Sequence, residues 1–475
     1  MNKKETTSGK QWRKILFFSS LCLLSFVSCT TQTAKTIDTS SSSLAPEVSQ
    51  ISLPQHDEIS SLPSIDDMDD LKDDVILYSS IGSKNTYLLN EQKEIVHTWT
   101  SSYRTGSVCY LLDNGNLLHT GKDESNTTFK GGAEGGIVEE LDWDSNVVWS
   151  YTYSSDQHLL HHDIQQLPNG HILMVAWEMK DGTTAKEEGR DPSLLSDDEL
   201  WPDELIEIDP TTNEIVWQWH VWDHLIQSYD ASKDNFGDVA SHPELIDLNY
   251  VSTGKLATGA DWTHINSIDY HEELDQILIS SHSFNEIWVI DHSTTTAEAA
   301  SHSGGNSGMG GDLLYRYGNP ATYDQGARGD QQLFGQHSVH WIDQGLPGAG
   351  DILIFNNGAQ REKGVNYSSV DERSLPVSST GTYTKEGNTF SDAPLVWSYT
   401  AEDPTSFFSR SISGAQRLPH GNTLICNGEN GEFFEITKDG EIVWQYENKE
   451  NTKHNSVFRI TAYPLSDEGL AALND

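Results

Sequence analysis

Two histidines and an arginine stand at the ends of predicted strands in residues 335–361. His337 and His340 fall in one apolar run, and Arg361 follows the next strand after an Asn-Asn-Gly turn. If the two strands are neighbours in one sheet, these side chains can reach the same end of it. Arginine donates paired hydrogen bonds to tetrahedral oxyanions, and histidine is the commonest general acid or base. The stretch is therefore a candidate site for a sulfate or phosphate group. The alternative is that the histidines only cap strands and Arg361 pairs with a surface acid.

A histidine at the start of a predicted strand occurs twice more in the chain. His162 lies in residues 160–163, and His264 lies in residues 261–269. Histidine is not a favoured strand residue, so the three starts taken together indicate a functional cluster. Taken singly, each histidine is better explained by a structural hydrogen bond. Asn266, His340 and Arg459 are second-rank candidates for substrate binding, together with His162.

A short pattern that recurs along the chain predicts the elements that position these residues. It consists of a turn, two or three aliphatic residues and then aromatic residues, and its six copies lie at 94–99, 146–151, 214–219, 312–317, 394–399 and 441–446. Strand–turn–strand pairs stand upstream of several copies. Each unit therefore predicts a four-stranded antiparallel blade, and six blades around one axis make an all-β, six-bladed β-propeller. Side chains at the starts of the innermost strands would converge on the central tunnel.

The first blade has only three strands of its own, in residues 75–99. The run 456–464 near the C-terminus would supply the fourth and innermost strand, which closes the ring. The propeller domain is accordingly expected to span residues 75–475. The long segments 179–204, 220–261 and 296–334 are expected to lie as inserts over one face of the ring.

The N-terminus is typical of an exported bacterial lipoprotein. Basic residues precede an apolar run that is too short for a comfortable membrane span and is typical of a secretory signal. Residues 26–29 are similar to a lipobox, so residues 1–28 are predicted to be removed and Cys29 to carry lipid. Residues 29–74 are predicted to form a disordered polar tether. The alternative is ordinary signal cleavage and a soluble secreted product. The protein is therefore expected at the cell surface or in the periplasm.

The formal net charge of −43 makes nucleic acid a poor partner. An anionic substrate would need a local basic pocket. Beyond the signal and Cys29, the only cysteines are Cys109 and Cys426, which could pair in an oxidising compartment, although the sequence does not place them within disulfide range. No metal site is predicted, because no carboxylate stands at ligand spacing in a recognisable motif. No cofactor is expected.

Three motifs resemble those of the bacterial arylsulfate sulfotransferase family. They are Trp-Thr-His-Ile-Asn-Ser at 262–267, Gln-His at 336–337 and Phe-Asn-Asn-Gly-Ala-Gln-Arg at 355–361. The resemblance covers roughly residues 74–464. It implies a six-bladed propeller in which His264, His337 and Arg361 bind the sulfuryl group. It also implies transfer of that group from an aryl sulfate to a phenol without a nucleotide sulfate donor.

The chain departs from the family at the nucleophile. Family members carry a histidine that becomes sulfated in the last blade, where this chain has Glu432. Another histidine could take over, although His420 is better explained as a turn residue. Alternatively, the reaction could be direct transfer or hydrolysis with His264 or His337 as acid and base. A lipid-anchored binding or scaffold propeller without chemistry is the alternative to an enzyme. The oligomeric state is not indicated by the sequence.

Overall fold

The computed structural model describes residues 74–195, 197–251, 259–361, 364–450 and 455–473. The predicted signal peptide, Cys29 and the tether up to residue 73 lie outside the described residues. Within the described part, no helix is long and apolar enough to cross a bilayer.

Six four-stranded antiparallel sheets form the blades of the predicted β-propeller. Blade one contains Asp74–Ser80, Asn85–Asn90, Ile95–Thr100 and Val457–Pro464, and blade two contains Thr105–Leu111, Leu117–Lys122, Gly136–Leu141 and Val147–Thr152. Blade three contains His158–Gln166, Ile172–Glu178, Asp203–Asp209 and Glu214–His220, and blade four contains Ile265–His271, Gln276–Ser281, Glu286–Asp291 and Tyr315–Tyr317. Blade five contains His337–Trp341, Ile352–Asn356, Ser369–Arg373 and Leu395–Tyr399, and blade six contains Gly414–Arg417, Thr423–Asn427, Glu432–Ile436 and Ile442–Glu447. The six repeated motifs found in the sequence coincide with the six outermost strands.

The ring closes through the C-terminal strand, as predicted. Val457–Pro464 pairs antiparallel with Asp74–Ser80 and is the innermost strand of blade one. Phe458 is buried at 1% exposure and faces the centre of the ring. Both ends of the described chain therefore contribute to one sheet.

Helices and short strands occur only between blade strands or after the last one in the described part of the chain. The helices are Gly182–Glu187 and Thr296–Ala299, with 3-10 turns at Pro192–Leu194, Val221–Asp223, Val239–Ser241, Pro320–Tyr323, Arg328–Asp330, Pro404–Ser406 and Glu468–Leu473. The short strand pairs are Lys180–Asp181 with Glu199–Leu200, Leu225–Ile226 with Ile246–Asp247, and Lys385–Glu386 with Thr389–Phe390. Most of these elements belong to the inserts predicted from the sequence.

The apolar core lies between neighbouring blades. One cluster joins Leu173 and Val175 of blade three to Ile277 and Ile279 of blade four, because alternate strand residues point to the same sheet face. Cys109 and Cys426 are buried as free thiols in different clusters. The possible disulfide between them is therefore absent from the structure.

Candidate active site

Irregular strand starts aim histidine side chains at the propeller axis. The innermost strands of blades three, four and five each carry a register shift near their start. His162 and His264 adopt left-handed backbone conformations there, with φ values of 56° and 49°. Such conformations are unfavourable for residues other than glycine and are concentrated at functional sites, where bulges redirect side chains.

Five histidines meet at this end of the tunnel and form what we call the histidine cluster: His161, His162, His264, His282 and His337. The ring centroids lie 4.5 Å apart for His162 and His264, 5.1 Å for His264 and His282, and 5.4 Å for His282 and His337. The structure thus brings together the three histidines predicted from strand starts. His282 had not been predicted, since it follows the second strand of blade four rather than opening a strand.

His264 is held by a carboxylate from its own motif. Its Nδ1 lies 2.5 Å from Oδ2 of Asp261. Burial lowers the pKa of His264, but the charge and hydrogen bond of Asp261 outweigh burial, and the net pKa is raised. The structure therefore favours an imidazolium whose Nδ1–H donates to Asp261. Its Nε2–H has no protein acceptor among the described residues.

The environment of His162 lowers its pKa, in contrast to that of His264. His162 lies at the end of a hydrogen-bonded chain. Nε2 of His161 donates to Oδ1 of Asp203 at 2.7 Å, because an ionised carboxylate can only accept. In the neutral tautomer of His161 its Nδ1 is an acceptor, and Nδ1 of His162 donates to it at 2.6 Å. Burial, followed by the charge of His264, lowers the pKa of His162 well below its ordinary value. The ring is therefore neutral, with an unprotonated Nε2.

Asp203 is fixed by groups that the sequence did not single out. Its Oδ2 accepts hydrogen bonds from the hydroxyl of Thr263 and from the backbone N–H of Ile265, the latter at 2.9 Å. Both donors open the innermost strand of blade four. The carboxylate that orients the His161–His162 pair is thus anchored to the strand start that carries His264.

His337 is neutral and engaged through both ring nitrogens. Its Nδ1 donates to Oδ1 of Asn357 at 2.9 Å, and its Nε2 accepts from the backbone N–H of Ile412 at 3.2 Å. Burial lowers the pKa of His337 to about 3. Asn266 donates from Nδ2 to the carbonyl of Gln336 at 2.7 Å and so fixes this strand start. In this arrangement His337 and Asn266 position blade five, and His264 is the cationic member of the cluster.

A glycine-rich loop of blade two covers the histidine cluster. A Cβ atom at Gly132 would lie 3.8 Å from Cε1 of His264, and one at Gly131 would clash with the ring of Trp177. The backbone N–H of His162 donates to the carbonyl of Ala133 at 3.2 Å. Glycine at position 131 allows this close approach of the loop to the cluster.

Arg361 lies beside blade five, in contact with its third strand. Its Nε donates to the carbonyl of Tyr367 at 3.1 Å, and a terminal nitrogen donates to Oγ of Ser369 at 3.0 Å. The guanidinium also lies over the rings of Tyr367 and Phe334. Among the described residues, no carboxylate lies within ion-pair distance of Arg361, and no hydrogen bond or ring contact joins it to the cluster. Its role in sulfuryl binding stays a prediction.

Two second-rank candidates face a different part of the tunnel. His340 and Arg459 line a cavity of about 350 Å³ further along the innermost strands. Arg459 donates to Asp163 at 3.0 Å and to the hydroxyl of Tyr110 at 2.9 Å. Burial, followed by the charge of Arg459, lowers the pKa of His340 to about 4. This cavity is separated from the histidine cluster by the ring of Phe458, which contacts both His162 and His337.

The blade-six residues discussed for the nucleophile lie apart from the cluster. Glu432 is exposed at the start of a strand and accepts hydrogen bonds from Asn427 and Asn430, at 2.8 and 3.3 Å. His420 lies in a turn, as predicted, and its Nε2 lies 2.8 Å from Oε1 of Glu435. Within the described residues, Glu432 makes no hydrogen bond to a member of the histidine cluster.

The sequence comparison identifies the family. The family model described as Arylsulfotransferase (ASST) matches residues 135–463, which include the whole histidine cluster. The chain therefore belongs to the arylsulfotransferase family. No curated protein matches it.

Solved structures with a similar chain path have low sequence identity. A protein of unknown function from Bacteroides caccae is 13% identical, with 82% of this chain and 98% of that chain covered and a TM-score of 0.44. The Cps50 (Swd1) β-propeller domain of Myceliophteria thermophila is 10% identical, with 84% and 91% covered and a TM-score of 0.42. Virginiamycin B lyase from Staphylococcus aureus is 8% identical, with 79% and 81% covered and a TM-score of 0.36. These similarities give no information about activity.

Proposed function

We propose that this member of the arylsulfotransferase family transfers a sulfuryl group from an aryl sulfate to a phenol without a nucleotide donor. The observation that carries the proposal is the pair formed by His162 and His264. Adjacent rings with pKa values shifted in opposite directions supply an acid and a base to one substrate. In a chain of net charge −43, the imidazolium of His264 also supplies the local positive charge that a sulfate ester requires.

In the first half-reaction, Nε2 of His162 attacks the sulfur of the aryl sulfate. The N–S bond forms while the S–O bond to the aryl group breaks. The leaving phenolate takes the proton from Nε2 of His264 and departs as a neutral phenol. His161 stabilises the positive charge that develops on His162, because its Nδ1 accepts from Nδ1–H of His162. Asp203 accepts in turn from Nε2–H of His161.

In the second half-reaction, neutral His264 removes the proton of the acceptor phenol. The phenol oxygen attacks sulfur and the N–S bond to His162 breaks. His162 is again neutral and His264 is again protonated, so the cycle closes without a net proton change. This scheme places the nucleophile in blade three. It removes the difficulty that Glu432, a weak sulfuryl acceptor with a repelling charge, occupies the expected position in blade six.

Release of phenol from a chromogenic aryl sulfate, with and without an acceptor phenol, tests this function in the purified full-length protein. We expect acceptor-dependent release that falls by a factor of about 10² or more in His162→Asn and in His264→Asn. His171→Asn is the matched control, since His171 forms a similar histidine–carboxylate contact of 2.6 Å with Glu207 outside the cluster. Folded protein that releases no phenol under either condition would favour a non-catalytic binding propeller.

We also propose that the protein is exported and anchored by lipid at Cys29. The basic N-terminus, the short apolar run and the lipobox-like residues 26–29 support this. Metabolic labelling with a radioactive fatty acid should label the full-length protein and should not label Cys29→Ala. Equal labelling of the two proteins would refute lipid attachment at Cys29.

A further inference from the structure

We propose that His224, His302 and Asp312 bind a divalent transition-metal ion of the zinc type. His224 follows the 3-10 turn after blade three, and the other two ligands lie in the insert between the third and fourth strands of blade four. None of the three belongs to the histidine cluster. The proposal is therefore independent of the proposed sulfuryl transfer.

The three side chains converge on one oxygen atom. Nδ1 of His224 and Nδ1 of His302 each lie 2.8 Å from Oδ1 of Asp312. One ligand atom from each residue lies within 4.8 Å of the others. His224 is completely buried, whereas the His302 side chain is 62% exposed. The site thus has a rigid inner wall and one side open to solvent.

The hydrogen bond at Nε2 of His224 leaves Nδ1 as the ring atom that faces Asp312. Its Nε2 lies 2.8 Å from the backbone carbonyl of Ala299, which can only accept a hydrogen bond. A neutral imidazole with its proton on Nε2 presents an unprotonated Nδ1 to Asp312, where two acceptors would face each other. A metal ion between Nδ1 and the carboxylate would bind both groups. Without metal, a proton on Nδ1 fills the same place, as it does between His264 and Asp261.

The surroundings of His224 match the outer shell of a metal ligand. Histidine ligands usually donate their second ring nitrogen to a carbonyl or carboxylate, as Nε2 of His224 does to Ala299. The ring of Trp219 stacks on the ring of His224 at an interplanar angle of 10°. Nε1 of Trp219 donates to the carbonyl of Gly311 at 2.7 Å. A Cβ atom at Gly311 would clash with Ala299 and His224, so glycine allows the loop to approach. The ring is therefore fixed with Nδ1 toward Asp312.

Two imidazoles and one carboxylate suit zinc better than calcium or magnesium, which prefer oxygen ligands only. Tetrahedral coordination at bond lengths of roughly 2.0–2.1 Å separates neighbouring ligand atoms by about 3.3 Å. The two contacts of 2.8 Å would therefore open by about 0.5 Å on binding. His302 is exposed and can move by this amount, whereas the contact between His224 and Asp312 opens only if the Asp312 side chain rotates. Solvent can supply a fourth ligand.

A second group of potential ligands is already paired with a cation of the protein. Glu178, Glu204 and His220 also lie close together. However, the ammonium group of Lys180 lies 2.8 Å from Glu178 and already supplies positive charge. The hydroxyl of Tyr153 donates to Glu204 at 3.0 Å. These contacts engage one oxygen of each carboxylate, and Oε1 of Glu178 is buried without a hydrogen-bond partner among the described residues.

Zinc binding to the purified full-length protein tests the site. After removal of metal with a chelator, we expect calorimetric titration with zinc to show one tight site per chain, and zinc to raise the melting temperature. His302→Ala should weaken binding at least about 10-fold, since loss of even an outer-shell partner has this effect. Asp312→Asn should do the same. Because His302 is exposed, its replacement should leave the circular dichroism spectrum unchanged.

His242→Ala is the matched control for the zinc titration. His242 is exposed and lies 3.0 Å from Glu244, so it reports adventitious binding to a surface histidine–carboxylate pair. The proposal predicts that this variant binds zinc like the wild type. It is overturned if His302→Ala and Asp312→Asn both bind zinc as tightly as His242→Ala, or if the wild type binds none. Both results are independent of sulfuryl transfer activity.

Discussion

The imidazole rings of His162 and His264 lie 4.5 Å apart, at an interplanar angle of 70°, in surroundings that favour opposite protonation states. Asp261 keeps a proton on His264, whereas burial and the neighbouring positive charge keep His162 neutral. Activity that needs this combination is lost as the pH rises through the raised pKa of His264. On the acidic side, it persists until the pH approaches the lowered pKa of His162.

Replacement of Asp261 by asparagine should shift the alkaline limb of the pH–rate profile to lower pH. The variant removes the charge that offsets the burial of His264, so the pKa of His264 falls. We expect the rate at neutral pH to fall by a factor of about 10²–10⁴. Asp275→Asn is the control, because Asp275 makes a similar contact of 2.7 Å with His292 away from the cluster. An unchanged profile in Asp261→Asn would contradict the assigned role of His264.

Replacement of Glu432 by glutamine should leave sulfuryl transfer within about 2-fold of the wild type. The side chain is exposed and is bound by Asn427 rather than by a histidine of the cluster. Surface substitutions of this kind have small effects on stability. Steady-state rates with saturating donor and acceptor are the measurement. A loss of rate comparable to that of His162→Asn would indicate that the nucleophile lies in blade six.

His292 should make the stability of the fold depend on pH between about 6.5 and 9. Burial lowers its pKa, but contacts of 2.7 Å with Asp275 and 2.8 Å with Glu207 outweigh burial and raise the pKa from 6.5 to about 9. Folding therefore strengthens proton binding, and the stabilisation is complete below 6.5 and is lost as the pH rises through 9. At about 1.36 kcal/mol per pKa unit, it amounts to roughly 3 kcal/mol at its maximum.

Thermal unfolding across this pH range checks the role of His292. The melting temperature of the wild type should exceed that of His292→Gln most at low pH, and the gap should narrow towards pH of about 9. His242→Gln, which removes an exposed histidine, should follow the wild type throughout. If the difference in melting temperature between wild type and His292→Gln did not change with pH, the ion pairs with Asp275 and Glu207 would not be the source of the pH-dependent stability.

Deletion of residues 456–475 should destabilise the whole propeller. These residues supply the innermost strand of blade one and the buried ring of Phe458. Without them the ring opens and apolar faces on both sides are exposed. We expect the cooperative melting transition to be lost or strongly lowered. Deletion of 465–475 alone, which keeps all four strands, should have a smaller effect. Unchanged melting of the longer deletion would contradict closure by this strand.

The blade architecture was predictable because each repeat is a local signal. Turn residues and the aromatic pair of a motif such as 214–219 lie close together in sequence, and the motif becomes the outermost strand of its blade. The closing strand was predictable for a related reason, since blade one lacks a strand and the C-terminus supplies one. Histidines at strand starts were predictable because innermost strands must begin near the axis.

The groups that set protonation states were harder to predict because they come from distant positions. Asp203 contacts His161 across 42 residues, and Asp312 contacts His224 across 88 residues. Asp203 opens the third strand of blade three after an insert of irregular length, and Asp312 lies in an insert of blade four. The position of the Arg361 side chain depends on the rings of Phe334 and Tyr367, which it contacts. No periodic pattern in the sequence predicts this packing. Of these carboxylates, only Asp261 could be paired with its histidine from the sequence, since it lies three residues before His264.

Mapping the covalent intermediate tests whether His162 is the nucleophile. The purified protein is mixed with an aryl sulfate in the absence of an acceptor phenol, digested with protease and examined by mass spectrometry. We predict a sulfuryl group on His162 that is absent in His162→Asn and retained in Glu432→Gln. A sulfuryl group on another residue, or turnover in the presence of acceptor by a folded His162→Asn variant at the wild-type rate, would contradict the account.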